Sequence, residues 1–194
     1  MSKTKITQVM MDDSTLNVNK EVDMVFSIAN TLRGPYKADK YKDIIIPMII
    51  IRRLECALAT KDASGKIRKQ KVIEQFDKNP KTPQKDLENL AGSPFYNTSK
   101  FDLARLLNEA PAIVENFHFY LESFSPNIKD MLITRLKFKE KISDLDKNNR
   151  LLGVVKKFSE LDLNPETIDG HKMGYMFEEI IRRFSENAEA GDRY

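Results

Sequence analysis

One cysteine, Cys56, is all the chain holds, so a disulfide framework and a multi-cysteine zinc site are both excluded. Histidine is almost as scarce, and His118 and His171 leave little for a zinc cluster. The seven glycines are Gly34, Gly65, Gly92, Gly153, Gly170, Gly174 and Gly191. No two are spaced G-x-G, and no G-x-x-x-x-G-K occurs. The glycine-rich strand-to-helix turn of a dinucleotide, S-adenosylmethionine or P-loop site is therefore missing. Gly170 and Gly174 form G-x-x-x-G outside any apolar 20-mer, which points to close helix packing or a cap. The longest apolar run, Ile44–Ile51, is interrupted by Pro47 and falls far short of the ~20 residues of a membrane span. Met1–Lys20 is polar, with no apolar segment of a secretory signal. A cytoplasmic location is the expectation. No strand-like alternation persists, and no repeat of fixed period appears.

What remains is a soluble, globular composition of 194 residues, 41% hydrophobic and 31% charged. Its apolar residues recur at helical spacing. Val22, Val25, Phe26, Ala29 and Leu32 line one face of a helix over Glu21–Arg33, which Gly34 and Pro35 end. Residues 1–20 read as a flexible tail. Lys40–Thr60 reads as a second helix despite Pro47, which should kink it; apolar residues nearly all round Ile44–Ile51 place it among other helices. Further helices are expected over Ile67–Lys78, from Thr82-Pro83 to Leu90, over Phe101–Ala110 with Thr98 or Ser99 as cap, over Pro111–Phe124 and over Asn127–Phe138. Others follow around Ile142 and Leu145, over Leu151–Phe158, in a short helix opened by Asn164-Pro165, and over His171–Asn187. The sum is an all-α fold: a compact orthogonal bundle of about eight or nine helices over 21–194, with a short extended excursion near 93–99.

The net charge of +3 is too small to name a partner, but it is unevenly spread. Lys61–Lys71 holds Lys61, Lys66, Arg68, Lys69 and Lys71 against Asp62 alone. Lys129–Lys157 is basic, and Ser159–Tyr194 is acidic. Solvated helix faces explain most of such charge, and phosphate contact is the competing reading. Lys66, Arg68, Lys69 and Lys71, beside the Ser64-Gly65 turn, are the candidate phosphate contacts. No catalytic, cofactor-binding or metal-binding residue is assigned. Cys56 on a buried helix reads as a small hydrophobe. His118 and His171 read as structural, because no proton-transfer partner is indicated.

Three stretches carry a family resemblance. The first is Ile28–Gly34 followed by Tyr41–Pro47 and Ile51-Arg52-Arg53-Leu54. The second is Pro94-Phe95-Tyr96 leading into Phe101–Leu107. The third is Asp169–Glu178 with Glu179, Phe184 and the closing Gly191–Tyr194. In order and spacing this resembles the N-terminal helical domain of the modification (methyltransferase) subunit of type I restriction–modification systems. The resemblance implies a parent that transfers a methyl group from S-adenosylmethionine to adenine N6 in DNA, using a catalytic domain outside this stretch. Such a parent has a glycine-rich cofactor turn and an N-P-P-aromatic clamp; Asn79-Pro80 and Asn164-Pro165 lack the second proline and the aromatic. The chain then looks like a shortened chain or split gene product ending at the domain boundary, inactive alone. The implied partners are DNA, the specificity subunit, a second modification subunit and the restriction subunit. An independent helical DNA-binding or protein-interaction module is the alternative.

Overall fold

The structure is a computed structural model that describes residues 18–191. Among them the regular structure is helical, and β-type pairing is confined to three isolated bridges. The helices are α1 (residues 18–29), α2 (Tyr41–Leu58), α3 (Arg68–Lys78), α4 (Gln84–Ala91), α5 (Leu103–Asn108), α6 (Ile113–Glu122), α7 (Pro126–Lys129), α8 (Phe138–Lys147), α9 (Leu151–Glu160) and α10 (Gly170–Gly191). The chain divides into two compact units, residues 1–45 with 161–194, and residues 46–160.

In the first unit, α1 begins at residue 18, so Val18, Asn19 and Lys20 are helical rather than tail; the other residues of the expected tail lie outside those described. Val18, Val22, Val25, Ile28 and Ala29 are buried, a stripe at helical spacing. The last turn tightens into a 3-10 turn, Asn30–Leu32. Gly34 then takes φ 99°, a conformation that favours glycine, and the chain reverses. On α10 the buried stripe is Met173, Met176, Ile180 and Phe184. Phe26 of α1 packs on Phe184, ring centroids 4.8 Å apart. Asp169 accepts the Lys172 N–H at 2.9 Å and caps α10. Residues 165–168 form a turn rather than the short helix expected after Asn164. The reason is local: the Asn164 side chain accepts the Glu166 N–H at 2.9 Å, which closes an Asx turn instead.

In the second unit, α2 runs on past Pro47 without interruption. Phe117, Tyr120, Phe138 and Phe158 are among its largest fully buried side chains. Phe117 meets Phe138 edge to face at 6.0 Å, and Tyr120 meets Phe124 at 5.1 Å. A smaller cluster of Leu58, Val72, Leu87, Ala91 and Tyr96 joins α3 to α4. Of the extended excursion expected near 93–99, Asn97 forms an isolated bridge with Phe124, while residues 93, 94 and 99 are bends; the Ser125 N–H donates to the Tyr96 carbonyl at 3.0 Å and pins the segment to the turn after α6.

Two expected boundaries shift. The cap of α5 is Asp102, not Thr98 or Ser99; it accepts the Arg105 N–H at 2.7 Å. Ser99 instead turns its hydroxyl and N–H to Asn97. The helix expected over Asn127–Phe138 is α7 followed by a π turn, Asp130–Arg135, and a break at Lys137, φ 50°. In an uninterrupted helix Leu132 and Phe138, six residues apart, would face different ways. The break lets both be fully buried. Truncating the ring at the centre of this core, Phe117→Ala, should cost about 3–5 kcal/mol. Urea unfolding should show it as a lower midpoint at unchanged slope.

Candidate nucleic-acid interface and the buried carboxylate behind it

The candidate basic turn opens α3. Asp62 organises it: its Oδ1 accepts the Ser64 N–H at 2.8 Å, the Ser64 hydroxyl at 2.6 Å and the Lys66 N–H at 3.1 Å. The Asp62 N–H donates to the Lys66 carbonyl at 2.8 Å, and Gly65 takes φ 84°. The Arg68 N–H donates to the Thr60 carbonyl at 3.0 Å, which sets the first turn of α3 against the end of α2. Lys71 reaches back from α3 to Asp62 Oδ2 at 2.5 Å. That bond, with the hydroxyl of Ser64, holds the Asp62 carboxyl far below the usual carboxylate range.

The four candidate cations therefore do not share one exposed patch. Lys66 is exposed on the turn and has no ion-pair partner among the described residues. Arg68 lies half-buried over Gly92, where an added Cβ would sit 2.1 Å from its guanidinium. Gly92, at φ 65°, ends α4 and leaves that space. Lys71 is engaged by Asp62. Lys69 points inward, which corrects its expected place on the exposed turn. Its ammonium donates to the Phe101 carbonyl and lies 5.2 Å from the centre of the Tyr120 ring. Burial pushes this ammonium below its ordinary pKa, against the pull of Asp102 and Glu55.

Lys69 turns inward toward a polar group the sequence reading missed. Glu55, on α2, is 6% exposed. Its Oε1 accepts from Arg52 at 2.6 Å, and its Oε2 accepts the Leu103 N–H at 2.9 Å and the Tyr120 hydroxyl at 2.8 Å. Helix α5 opens at Leu103, so Glu55 and Asp102 between them satisfy N–H groups that its first turn would leave orphaned. Burial raises the Glu55 carboxyl above its ordinary value, opposed by Leu103, Tyr120 and Arg52. The same burial, with Glu55 beside it, pushes the Tyr120 hydroxyl well up. These bonds tie α2 to the start of α5 and to α6, so the group acts as a latch between them. Spacing could not reveal it, because Leu103 and Tyr120 lie 48 and 65 residues from Glu55.

The two histidines separate. His118 is half-buried on α6, with Nε2 3.1 Å from the Lys139 carbonyl. His171 is exposed in the first turn of α10. Cys56 is buried, as expected of a small apolar residue on α2. Among the described residues no cluster of His, Cys, Asp and Glu is arranged to hold a metal ion, and no helix is long and apolar enough to cross a membrane.

The described residues form an all-helical domain with a basic turn and a buried polar centre. The chain matches the HsdM N-terminal domain over residues 22–158 and belongs to that family, part of the modification subunit of a type I restriction–modification system. No curated protein and no solved structure matches it.

Removing the latch tests its weight. Glu55→Ala orphans the Leu103 N–H and the Tyr120 hydroxyl and removes one partner of Arg52, and should cost about 3–5 kcal/mol. Titration gives an independent signature. Because the native Glu55 pKa lies above the ordinary 4.5, its contribution is complete below that pH and is lost as pH rises through the raised value. Glu55→Gln abolishes this dependence. Urea midpoints of the two proteins from about pH 4 to 8 should therefore shift against the wild type as pH rises.

Proposed function

We propose that this chain is the helical N-terminal domain of an adenine-N6 DNA methyltransferase subunit, and that it helps enclose DNA and contacts the specificity subunit. The second modification subunit and the restriction subunit complete the set of partners, in the cytoplasm. The family match over residues 22–158 carries this reading. S-adenosylmethionine serves the parent's catalytic domain, where the target base leaves the stack before methyl transfer. This chain contributes no catalytic residue; its part is to position.

DNA approaches the Lys66 turn. Lys66 is exposed there without an ion pair among the described residues, on a loop that Asp62 holds, so it meets a phosphate at little cost in ordering. Arg68 and Lys71 add to the positive field from half-buried positions. Lys69 acts indirectly, by holding the carbonyl of Phe101.

Charge reversal separates these roles. In the assembled complex, Lys66→Glu should weaken DNA binding across sequences and lower the slope of log K against log salt by about one. Reversal of Lys66, Arg68 and Lys71 together should flatten it further. Lys69→Met should lower thermal stability and leave the salt slope unchanged. Identical binding of all variants through a salt series excludes the turn as a DNA contact. A calorimetric titration of this chain with S-adenosylmethionine should give no binding heat; saturable binding would overturn the division of labour.

A further inference from the structure

The family-resembling stretch Ile28–Gly34, Tyr41 and Phe184 meets around a pocket of about 250 Å3 in the first unit. Phe26 and Phe184 supply its apolar part. Its polar side chains are Asn30, Arg33, Tyr41 and Asn187. Asn30, Arg33 and Asn187 are exposed, Tyr41 is half-buried, and none has a side-chain hydrogen bond or ion pair among the described residues. No carboxylate among the described residues lines the pocket. The nearby Arg183 is not available as a competing cation: it pairs with Glu179 at 2.9 Å and Asp23 at 3.1 Å while lying over Phe26.

The backbone beneath Arg33 is held in place. The Arg33 N–H donates to the Asn30 carbonyl at 3.3 Å, and the Tyr36 N–H donates to the Leu32 carbonyl at 3.2 Å. Gly34, at φ 99°, and Pro35 lie between them. Residues 33–42 carry Arg33, Lys37, Lys40 and Lys42 against Asp39, four minus one, or +3. Asp39 lies 3.6 Å from Lys40, which leaves Lys37 and Lys42 exposed without ion pairs among the described residues. The pocket thus opens beside a basic loop.

Size and chemistry narrow the ligand. The volume is below the roughly 300–1,000 Å3 of a site for a drug-sized molecule, so a whole cofactor is too large. A guanidinium fork suits phosphate or carboxylate. Two carboxamides and a phenol beyond the fork exceed the needs of a carboxylate's two oxygens, and suit a phosphate with sugar hydroxyls. We propose that this pocket binds the phosphate and sugar of one nucleotide unit, with Arg33 on the phosphate and Asn30, Tyr41 and Asn187 on the remaining oxygens. A free nucleotide and a DNA strand share that chemistry; assignment to DNA rests on the function proposed above.

The test uses the full chain with two probes, adenosine 5′-monophosphate by calorimetry and a short duplex by fluorescence anisotropy at low salt. Arg33→Ala should weaken whichever probe binds by ~10-fold or more, the loss of a charge-assisted contact. Arg33→Lys, which keeps charge and loses the fork, should fall between. Asn30→Ala should weaken it a few-fold, and far-ultraviolet circular dichroism should be unchanged in all three. Nucleotide binding lost in Arg33→Ala supports a free-nucleotide site. Duplex binding lost in Arg33→Ala, without nucleotide binding, supports a backbone-phosphate site. No binding of either probe, or equal binding by wild type and Arg33→Ala, overturns the pocket. A glutamate-rich peptide bound in place of both probes overturns it in favour of a carboxylate partner. Duplex binding that survives Arg33→Ala but falls in Lys66→Glu sinks the pocket and leaves the methyltransferase reading standing.

Discussion

The second unit turns on one carboxylate taken out of water. Glu55 sits on α2 and holds Arg52 of its own helix, the first N–H of α5 and the hydroxyl of α6's Tyr120. A buried ion pair alone stabilises little, since desolvation offsets most of the attraction. Here both oxygens are fully used, and the carboxylate sets where α5 starts relative to α2 and α6. Lys69 extends the arrangement to α3 through the Phe101 carbonyl and the Tyr120 ring. Four helices are thereby tied through one polar centre surrounded by apolar packing.

That centre redistributes the surface charge. A cluster of five bases in eleven residues looks in one dimension like a phosphate site. In three dimensions the cluster is divided by the helical turn. Lys66 lies on the turn before α3, whereas Arg68, Lys69 and Lys71 lie in its first turn, where successive residues point about 100° apart. Lys69 stabilises the interior, Lys71 pins the preceding turn, Arg68 covers a glycine, and Lys61 and Lys66 are left to solvent. In the first unit the cations at residues 33–42 instead lie around a tight reversal and remain outside. Electrostatic reach depends on that difference rather than on the number of charges.

Much of the helical layout was legible because it depends on local rules. The stripes Val22–Val25–Ala29 and Met173–Met176–Ile180–Phe184 are buried as their spacing requires. Gly34 marks a reversal, and Asn97, within the non-helical segment near 93–99, forms a β-bridge. The misplacements have equally local causes. Asp102, Thr98 and Ser99 can each cap a helix, and only the claim of Asn97 on Ser99 decides between them. The apolar spacing of Ile128, Met131, Leu132 and Leu136 is helical throughout and concealed the π turn, because spacing alone does not distinguish a π turn from an α turn.

The amino-acid order by itself determined the helical class, most helix positions, the lack of a glycine-rich cofactor turn and the family. Periodicity, turn chemistry and motif spacing act over a few residues and survive without a fold. Tertiary structure alone decided which charges are free and which polar groups meet. Those outcomes depend on pairs as distant as Glu55 and Tyr120, or Phe26 and Phe184. Desolvation and hydrogen-bond geometry act through space, and no interval along the chain encodes them.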